Sequence, residues 1–162
     1  MVRTSHQTCK PSPEVLLLAA VLIGAIGFNL PLQAQSLPLS LSPQFTPDPT
    51  EASGLSGGLI TASKVAGQAD TSTGSCLGYV DSQPNHTLNL KALFSYLKVQ
   101  VQSAEDTTIV VQGPGGTWCN DDFQNRNAGL DGEWLPGTYQ IWVGTYRSDK
   151  ITPYTLRITE VR

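Results

Sequence analysis

The chain has 162 residues and a formal net charge of −3, from 10 Lys and Arg and 13 Asp and Glu. No run of Lys or Arg occurs, so nucleic-acid binding is disfavoured, because phosphate contacts need a concentrated positive surface. The length allows one domain of ordinary size with its own core.

Residues 1–34 have the pattern of a secretory signal peptide. Arg3 and Lys10 precede an uncharged apolar stretch at residues 15–28, and a small residue, Ala34, follows at the expected cleavage site. The apolar stretch is shorter than the ~20 residues of a membrane-spanning helix, although an uncleaved anchor is the alternative. The sequence therefore predicts export to the periplasm or outside the cell, with no stable membrane span after cleavage.

Residues 35–58 are rich in Pro, Ser and Gly and show no hydrophobic period. Such a composition is typical of an extended or disordered linker. The folded domain is therefore predicted to comprise residues 59–162.

Three cysteines are present, and Cys9 belongs to the predicted signal peptide. Cys76 and Cys119 remain as an even pair, which in an exported chain predicts one disulfide. The loop closed by this bond would give a stabilisation of roughly 4 kcal/mol. Two free buried thiols are the alternative, and two cysteines with one remaining histidine are too few for a usual zinc site.

Several segments alternate apolar and polar residues with the period of two that half-buried strands show. They are separated by turn signals at 83–85, 113–116 and 135–138. Six to eight short strands predict an all-β fold, an antiparallel β-sandwich, with a small barrel as the alternative. The predicted strands are 77–80, 87–90, 97–101, 107–112, 139–143 and 154–158, with an edge strand at 59–65.

An ordered set of motifs resembles a known family, the bacterial pre-peptidase C-terminal domain, and especially its small stand-alone exported versions in cyanobacteria. The resemblance covers about residues 70–160 and implies a jelly-roll-like β-sandwich that is usually non-catalytic. It also implies roles in secretion, localisation or substrate binding, and calcium binding as in some collagenase relatives. The motifs are CLGYV from Cys76, PNHTLNL from Pro84, LKVQV from Leu97, DTTIVVQGP from Asp106, CNDD from Cys119, PGTYQIWVG from Pro136 and YTLRI from Tyr154.

The stretch TWCNDD at residues 117–122 is the candidate metal site. Asn120, Asp121 and Asp122 offer oxygen ligands of the kind that calcium prefers, and Asp131 would complete the shell. The alternative is a turn in which these side chains bond backbone N–H groups next to the disulfide at Cys119. A catalytic aspartate pair is not predicted, because adjacent strand residues point to opposite faces.

No catalytic residue is predicted, and the chain is expected not to be an enzyme. A Ser-His-Asp triad would have to use His86, which stands at the entrance to a strand, where a turn residue bonded to the backbone is expected. The sequence also contains no G-x-S-x-G motif. A small secreted hydrolase is therefore the third of three functional hypotheses.

Two aromatic residues are candidates for ligand stacking. On the strand at 139–143, Trp142 points away from the apolar face, and Tyr146 follows the strand. Exposed Trp and Tyr stack on sugars or peptides, although adjacent chain covering Trp142 is the alternative. The first hypothesis is an exported non-catalytic module that binds a protein, a peptide or an envelope polysaccharide. The second is a calcium-stabilised carbohydrate- or peptide-binding module.

Overall fold

The computed structural model describes residues 38–161. The predicted signal peptide, residues 1–34, lies outside the described residues. In the part of the chain that is described, no helix is long and apolar enough to cross a membrane.

The described residues form strands and one short helix, which confirms the all-β prediction. Eight of the strands have five or more residues. The elements are β1 (Leu39–Leu41), β2 (Thr50–Ser56), β3 (Ile60–Thr61), α1 (Ala62–Ala66), β4 (Asp70–Thr71), β5 (Gly74–Ser75), β6 (Tyr79–Val80), β7 (His86–Leu90), β8 (Phe94–Ser103), β9 (Thr107–Gly113), β10 (Gly116–Asn120), β11 (Gly129–Trp134), β12 (Gly137–Thr145) and β13 (Thr152–Thr159).

Two sheets form a β-sandwich. In the first sheet β12 pairs antiparallel with β7 and β9, β10 extends the sheet beyond β9, and β1 pairs in parallel with β7. β6 and β3 add a short extension to the same sheet, and β4 and β5 form a separate hairpin. The second sheet is antiparallel in the order β11-β8-β13-β2. β10 and β11 are therefore edge strands, one in each sheet.

The core lies between the two sheets and follows the period-two pattern of the sequence. On β13, for example, Tyr154, Leu156 and Ile158 are buried, and the residues between them are more exposed. The same alternation places Leu97, Val99 and Val101 of β8 in this core.

The prediction of a linker at 35–58 is wrong over β1 and β2. β2 pairs with β13 along its whole length, from Ser56 opposite Thr152 to Thr50 opposite Ile158. The sequence of β2, TEASGLS, has no clear apolar face. This edge strand gains its order from backbone pairing with β13 rather than from side-chain burial. The Pro/Ser/Gly composition of the segment concealed this pairing.

The prediction of an edge strand at 59–65 is also corrected. Only Ile60–Thr61 is a strand, and Ala62–Ala66 is a helix that ends at Gly67 in the left-handed conformation (φ 74°). This helix packs on the outer face of the first sheet. It belongs to a second buried cluster there, which comprises Ala62, Ala66, Cys76, Val80, Val110, Cys119 and Trp142, with Val65 partly buried against them.

Candidate functional site

A groove of about 260 Å³ is lined by residues of the two edge strands β10 and β11. The strands are joined at one end, where the backbone N–H of Gly129 donates to Oδ1 of Asn120 at 3.3 Å. The hairpin β4–β5 protects part of the β10 edge, since the N–H of Cys119 donates to Oγ1 of Thr71 and Oγ1 of Thr73 donates to the Cys119 carbonyl. The groove therefore lies at the side of the sandwich, between the edge strand of one sheet and the edge strand of the other.

Three aromatic residues lie around the groove. Trp134 and Tyr139 are buried, with relative exposures of 6% and 1% and ring centroids 4.9 Å apart. The ring of Trp118 lies 6.3 Å from that of Tyr139 and is partly exposed. The groove therefore has a rigid aromatic floor and one more accessible aromatic wall, Trp118.

The polar atoms of the two buried aromatics are already bonded within the protein. Nε1 of Trp134 donates to the Leu97 carbonyl at 3.0 Å, and the Tyr139 hydroxyl donates to the Leu135 carbonyl at 2.9 Å. Burial raises the pKa of Tyr139, and the bond to Leu135 opposes this shift. These two rings are therefore buried and internally bonded, and Trp118 is the aromatic ring of the groove that a ligand can reach.

A bulge in β11 sets the position of Trp134. The register with β8 shifts between Gly132 and Trp134, and Gly132 has φ 139°, a backbone conformation that L side chains rarely adopt. Gly132 is required by this backbone conformation and not by crowding. A Cβ at this position would have no atom within 4 Å other than those of its chain neighbours. The bulge also blunts the edge of the sheet.

The charged residues that line the groove are both acidic. Asp131 and Glu133 are exposed on β11. The Tyr96 hydroxyl donates to Oδ2 of Asp131 at 3.2 Å, and Lys98 stands opposite Asp131 in the ladder. Neither carboxylate forms an ion pair within residues 38–161. The groove thus presents carboxylate acceptors beside an aromatic surface.

The structure places the four residues predicted as calcium ligands on different elements, with Asn120 on β10 and Asp131 on β11. Asp131 lines the groove, whereas Asp121 and Asp122 follow the end of β10. The side chain of Asn120 is bonded to the backbone, from Nδ2 to the Thr73 carbonyl and from the Gly129 N–H to Oδ1. Among residues 38–161 no group of three or more His, Cys, Asp and Glu is arranged to hold a metal ion. Calcium binding stays a prediction without a formed shell.

Asp121 instead belongs to a group of carboxylates with Asp106 and Asp122. Its pKa is raised, first by burial and then by the charge of Asp122, with a smaller effect of Asp106. A raised folded-state pKa means that the folded chain binds this proton more tightly than the unfolded chain. The contribution of Asp121 to stability therefore improves as the pH falls through that pKa and is least favourable at neutral pH.

We expect Asp121→Asn to raise the free energy of unfolding at pH 7 by roughly 0.2–0.5 kcal/mol, the size of a like-charge repulsion between neighbouring side chains. Urea melts at pH 7 and pH 3.5 measure it, and the gain should disappear at the lower pH. Glu133→Gln, at an exposed carboxylate outside this group, is the control and should change little.

The same melts in 1 mM calcium and in EDTA test the calcium prediction. Because the predicted shell is not formed, we expect the two curves to coincide. A calcium-dependent stabilisation of about 2–3 kcal/mol that Asp121→Asn abolishes would instead establish a calcium loop of ~10 μM affinity.

Of the two alternatives for Trp142, open for stacking or covered by adjacent chain, the structure shows the covered one. Trp142 is 5% exposed and lies under α1 in the cluster on the outer face of the first sheet. Tyr146 is 55% exposed and lines a second cavity of about 200 Å³ with Glu105, Asp106, Arg126 and other charged residues. The two aromatics therefore do not form one stacking surface.

The predicted disulfide is confirmed between Cys76 and Cys119, with an S–S distance of 2.08 Å. His86, expected to be a turn residue bonded to the backbone, is the first residue of β7 and is buried. Its Nε2 lies 2.8 Å from the hydroxyl of Tyr154.

No family model matches the chain. The chain is 29% identical over 100 residues to an uncharacterized protein of Synechococcus elongatus, which covers 59% of this chain and 74% of that protein. Among solved structures, it is similar to the pre-peptidase C-terminal domain of the collagenase from Bacillus anthracis, with a TM-score of 0.43 and 14% identity over 76% of this chain and 95% of that one. It is also similar to PliG of Aeromonas hydrophila, a periplasmic inhibitor of g-type lysozyme, with a TM-score of 0.40 and 15% identity over 75% and 95%. The collagenase domain bears the name of the family that the sequence motifs resemble.

Proposed function

We propose that this chain is an exported, non-catalytic β-sandwich module that binds a ligand in the groove between β10 and β11. The observation that carries the proposal is the groove itself, in which two buried rings with internally bonded polar atoms form a floor and Trp118 forms a wall. A preformed concave site with aromatic surface and a few polar groups is the usual form of a binding site. Its ligand is a peptide or an envelope polysaccharide.

The non-catalytic part of the proposal rests on where the titratable groups lie. Asp131 and Glu133 belong to one strand and stand on one wall of the groove, whereas glycosidase carboxylates flank the scissile bond from two sides. His86 is 3% exposed and faces Tyr154, so it is remote from solvent and from any ligand in the groove. The arrangement favours binding over acid–base chemistry.

Export is supported by the disulfide, since such bonds persist in oxidising compartments. Cys76 and Cys119 are 3% and 0% exposed and are part of a packed cluster, so the bond is built into the fold. Expression of the chain with its own N-terminus in a bacterium, followed by fractionation, checks the location.

We expect at least one ligand class to bind saturably in the groove and Trp118→Ala to weaken that binding about tenfold, because this ring is the accessible wall. The measurement is an NMR titration of the 15N-labelled protein with four probes: tri-N-acetylglucosamine, N-acetyl-lysine methylamide, N-acetyl-arginine methylamide and tetraglycine. The expected shifts are in the Trp118 indole and in residues 130–135.

Tyr146→Ala is the matched control, because Tyr146 is an exposed aromatic residue that does not line the groove. This variant should bind as the wild type does. The proposed function fails if no probe shifts the groove, or if the shifts persist in Trp118→Ala or depend on Tyr146.

A further inference from the structure

We propose that the groove selects a cationic group, the Lys or Arg side chain of a short extended peptide that lies along β11. This inference rests on the proposed function and names the ligand class of the same site. It follows from the charge of the lining, from the size of the groove and from the free edge of β11.

The charge of the residues that line the groove is complementary to a donor-rich cation. The charged lining residues are Asp131 and Glu133, and no Lys, Arg or His lines the groove in the described part of the chain. Thr73 also lines it, but its hydroxyl donates to the Cys119 carbonyl. A neutral sugar needs donors as well as acceptors from its site, whereas an ammonium or guanidinium group donates and does not accept.

The aromatic surface next to these carboxylates suits the same cation. Trp and Tyr faces attract Lys, Arg and other ammonium groups, and the attraction grows when water is excluded. Trp118 is accessible, and Trp134 and Tyr139 are held by their hydrogen bonds. The apolar stem of Lys or Arg would pack on Trp118, above the buried floor, while its charged end meets Asp131 or Glu133.

The size of the groove favours a single side chain. About 260 Å³ is below the roughly 300–1,000 Å³ of pockets that hold drug-sized ligands. An oligosaccharide of several rings would extend well beyond this volume. One basic side chain fits within it.

The edge of β11 supplies the contact for the rest of the peptide. The N–H of Val101 on β8 donates to the Ala128 carbonyl, and the N–H of Gly129 points the other way, to Asn120. By the alternation of an antiparallel ladder, the backbone N–H and C=O of Asp131 also point away from β8. An extended peptide can pair with this edge, over a short length because the bulge at Gly132 interrupts it.

The strand register places Lys98 opposite Asp131. Lys98 does not form an ion pair with Asp131, and Glu133 stands two residues further along the strand. With two carboxylates and one lysine, the β11 side of the groove has a net negative charge. The charge balance of the groove therefore favours a positive partner.

The test uses the purified protein and five-residue peptides, acetylated and amidated, of sequence Ser-Gly-X-Gly-Ser, where X is Lys, Arg, norleucine or Glu. We expect the Lys and Arg peptides to shift the Trp118 indole and to bind at least tenfold more tightly than the norleucine and Glu peptides. Raising the salt concentration from 50 to 500 mM should weaken the basic peptides severalfold.

Asp131→Asn combined with Glu133→Gln should weaken the Lys and Arg peptides at least tenfold, while the melting temperature and the Trp118 environment stay as in the wild type. Asp121→Asn combined with Asp122→Asn removes two carboxylates that do not line the groove and should leave the affinity unchanged. If both pairs of substitutions weaken binding equally, the effect is net charge alone and the inference is overturned.

Two further outcomes separate this inference from the proposed function. If tri-N-acetylglucosamine or the norleucine peptide binds in a Trp118-dependent manner and the basic peptides do not, the groove binds a ligand but does not select a cation. If none of the probes binds in a Trp118-dependent manner, both proposals fail. If N-acetyl-lysine methylamide binds as tightly as the Lys peptide, the pairing with β11 is excluded.

Discussion

Replacement of both Cys76 and Cys119 with Ala is expected to lower the free energy of unfolding by about 4 kcal/mol. The residues are 43 apart in sequence, and closing a loop of that length in the unfolded chain costs about this much in entropy. Since single domains have total stabilities of about 5–15 kcal/mol, the loss is a large fraction of what holds the protein folded.

The position of the bond adds a structural reason. The disulfide joins the turn region before β6 to the edge strand β10 and is packed with Trp142 and α1. Loss of the two sulfur atoms also leaves a cavity in that cluster. Urea unfolding followed by circular dichroism measures the effect, and the reduced wild type should show the entropic loss without the added cost of the cavity. A loss below about 1 kcal/mol in both would show that residual structure already restricts this loop in the unfolded chain.

The strands with two-residue periodicity were predictable because burial on one face imposes it. Residues 154–158 and 97–101 alternate since each strand has one side in the core. The disulfide was predictable for a similar reason, since an even cysteine pair in a chain predicted to be exported is expected to form a bond. The periodicity depends on local chemistry and the disulfide on the cellular compartment, and a single sequence contains signals for both.

The edge strands were not predictable from periodicity. β11 reads GLDGEW, and its two glycines and central bulge interrupt any alternation. β2 gains its order from pairing with β13 and not from an apolar face of its own. Trp142 was placed on the correct face of its strand, but the helix that covers it lies in a segment whose sequence suggested a strand.

The groove was missed because no single segment contains it. Trp118 on β10 and Trp134 on β11 are far apart in sequence, and they come together with Tyr139 where the edges of two sheets meet. Asp131 was assigned to a calcium shell because it lies close to Asp121 in sequence. In the structure Asp131 lies on β11 and lines the groove, and its part in a calcium shell stays a prediction.

Acidification is expected to destabilise the protein through His86. Its ring lies in the core with Nε2 at 2.8 Å from the Tyr154 hydroxyl, and burial lowers its pKa below the ordinary 6.5. Burial also raises the pKa of Tyr154, so this hydroxyl stays neutral. The pair is therefore uncharged at neutral pH.

The sign follows from which state binds the proton. Below about pH 6.5 His86 becomes protonated in the unfolded chain. In the folded chain it stays neutral until the pH reaches its lowered pKa. Stability is therefore intact above pH 6.5 and falls by up to about 1.4 kcal/mol for each pH unit below it, until the folded-state pKa is reached. The effect of Asp121 on stability in acid has the opposite sign. Comparison of the wild type with a His86 variant at the same pH removes this effect, because both proteins contain Asp121.

His86→Gln is the informative variant, because glutamine can still bond the Tyr154 hydroxyl but does not titrate in this range. We expect it to cost about 1–2 kcal/mol at pH 7 and to flatten the stability profile between pH 6.5 and 4.5 relative to the wild type. Tyr154→Phe should cost a similar amount at pH 7 yet keep the slope, since the histidine remains buried. A wild-type slope that survives in His86→Gln would place the acid sensitivity in another group, and the buried pair would then be a packing element without a titrating role.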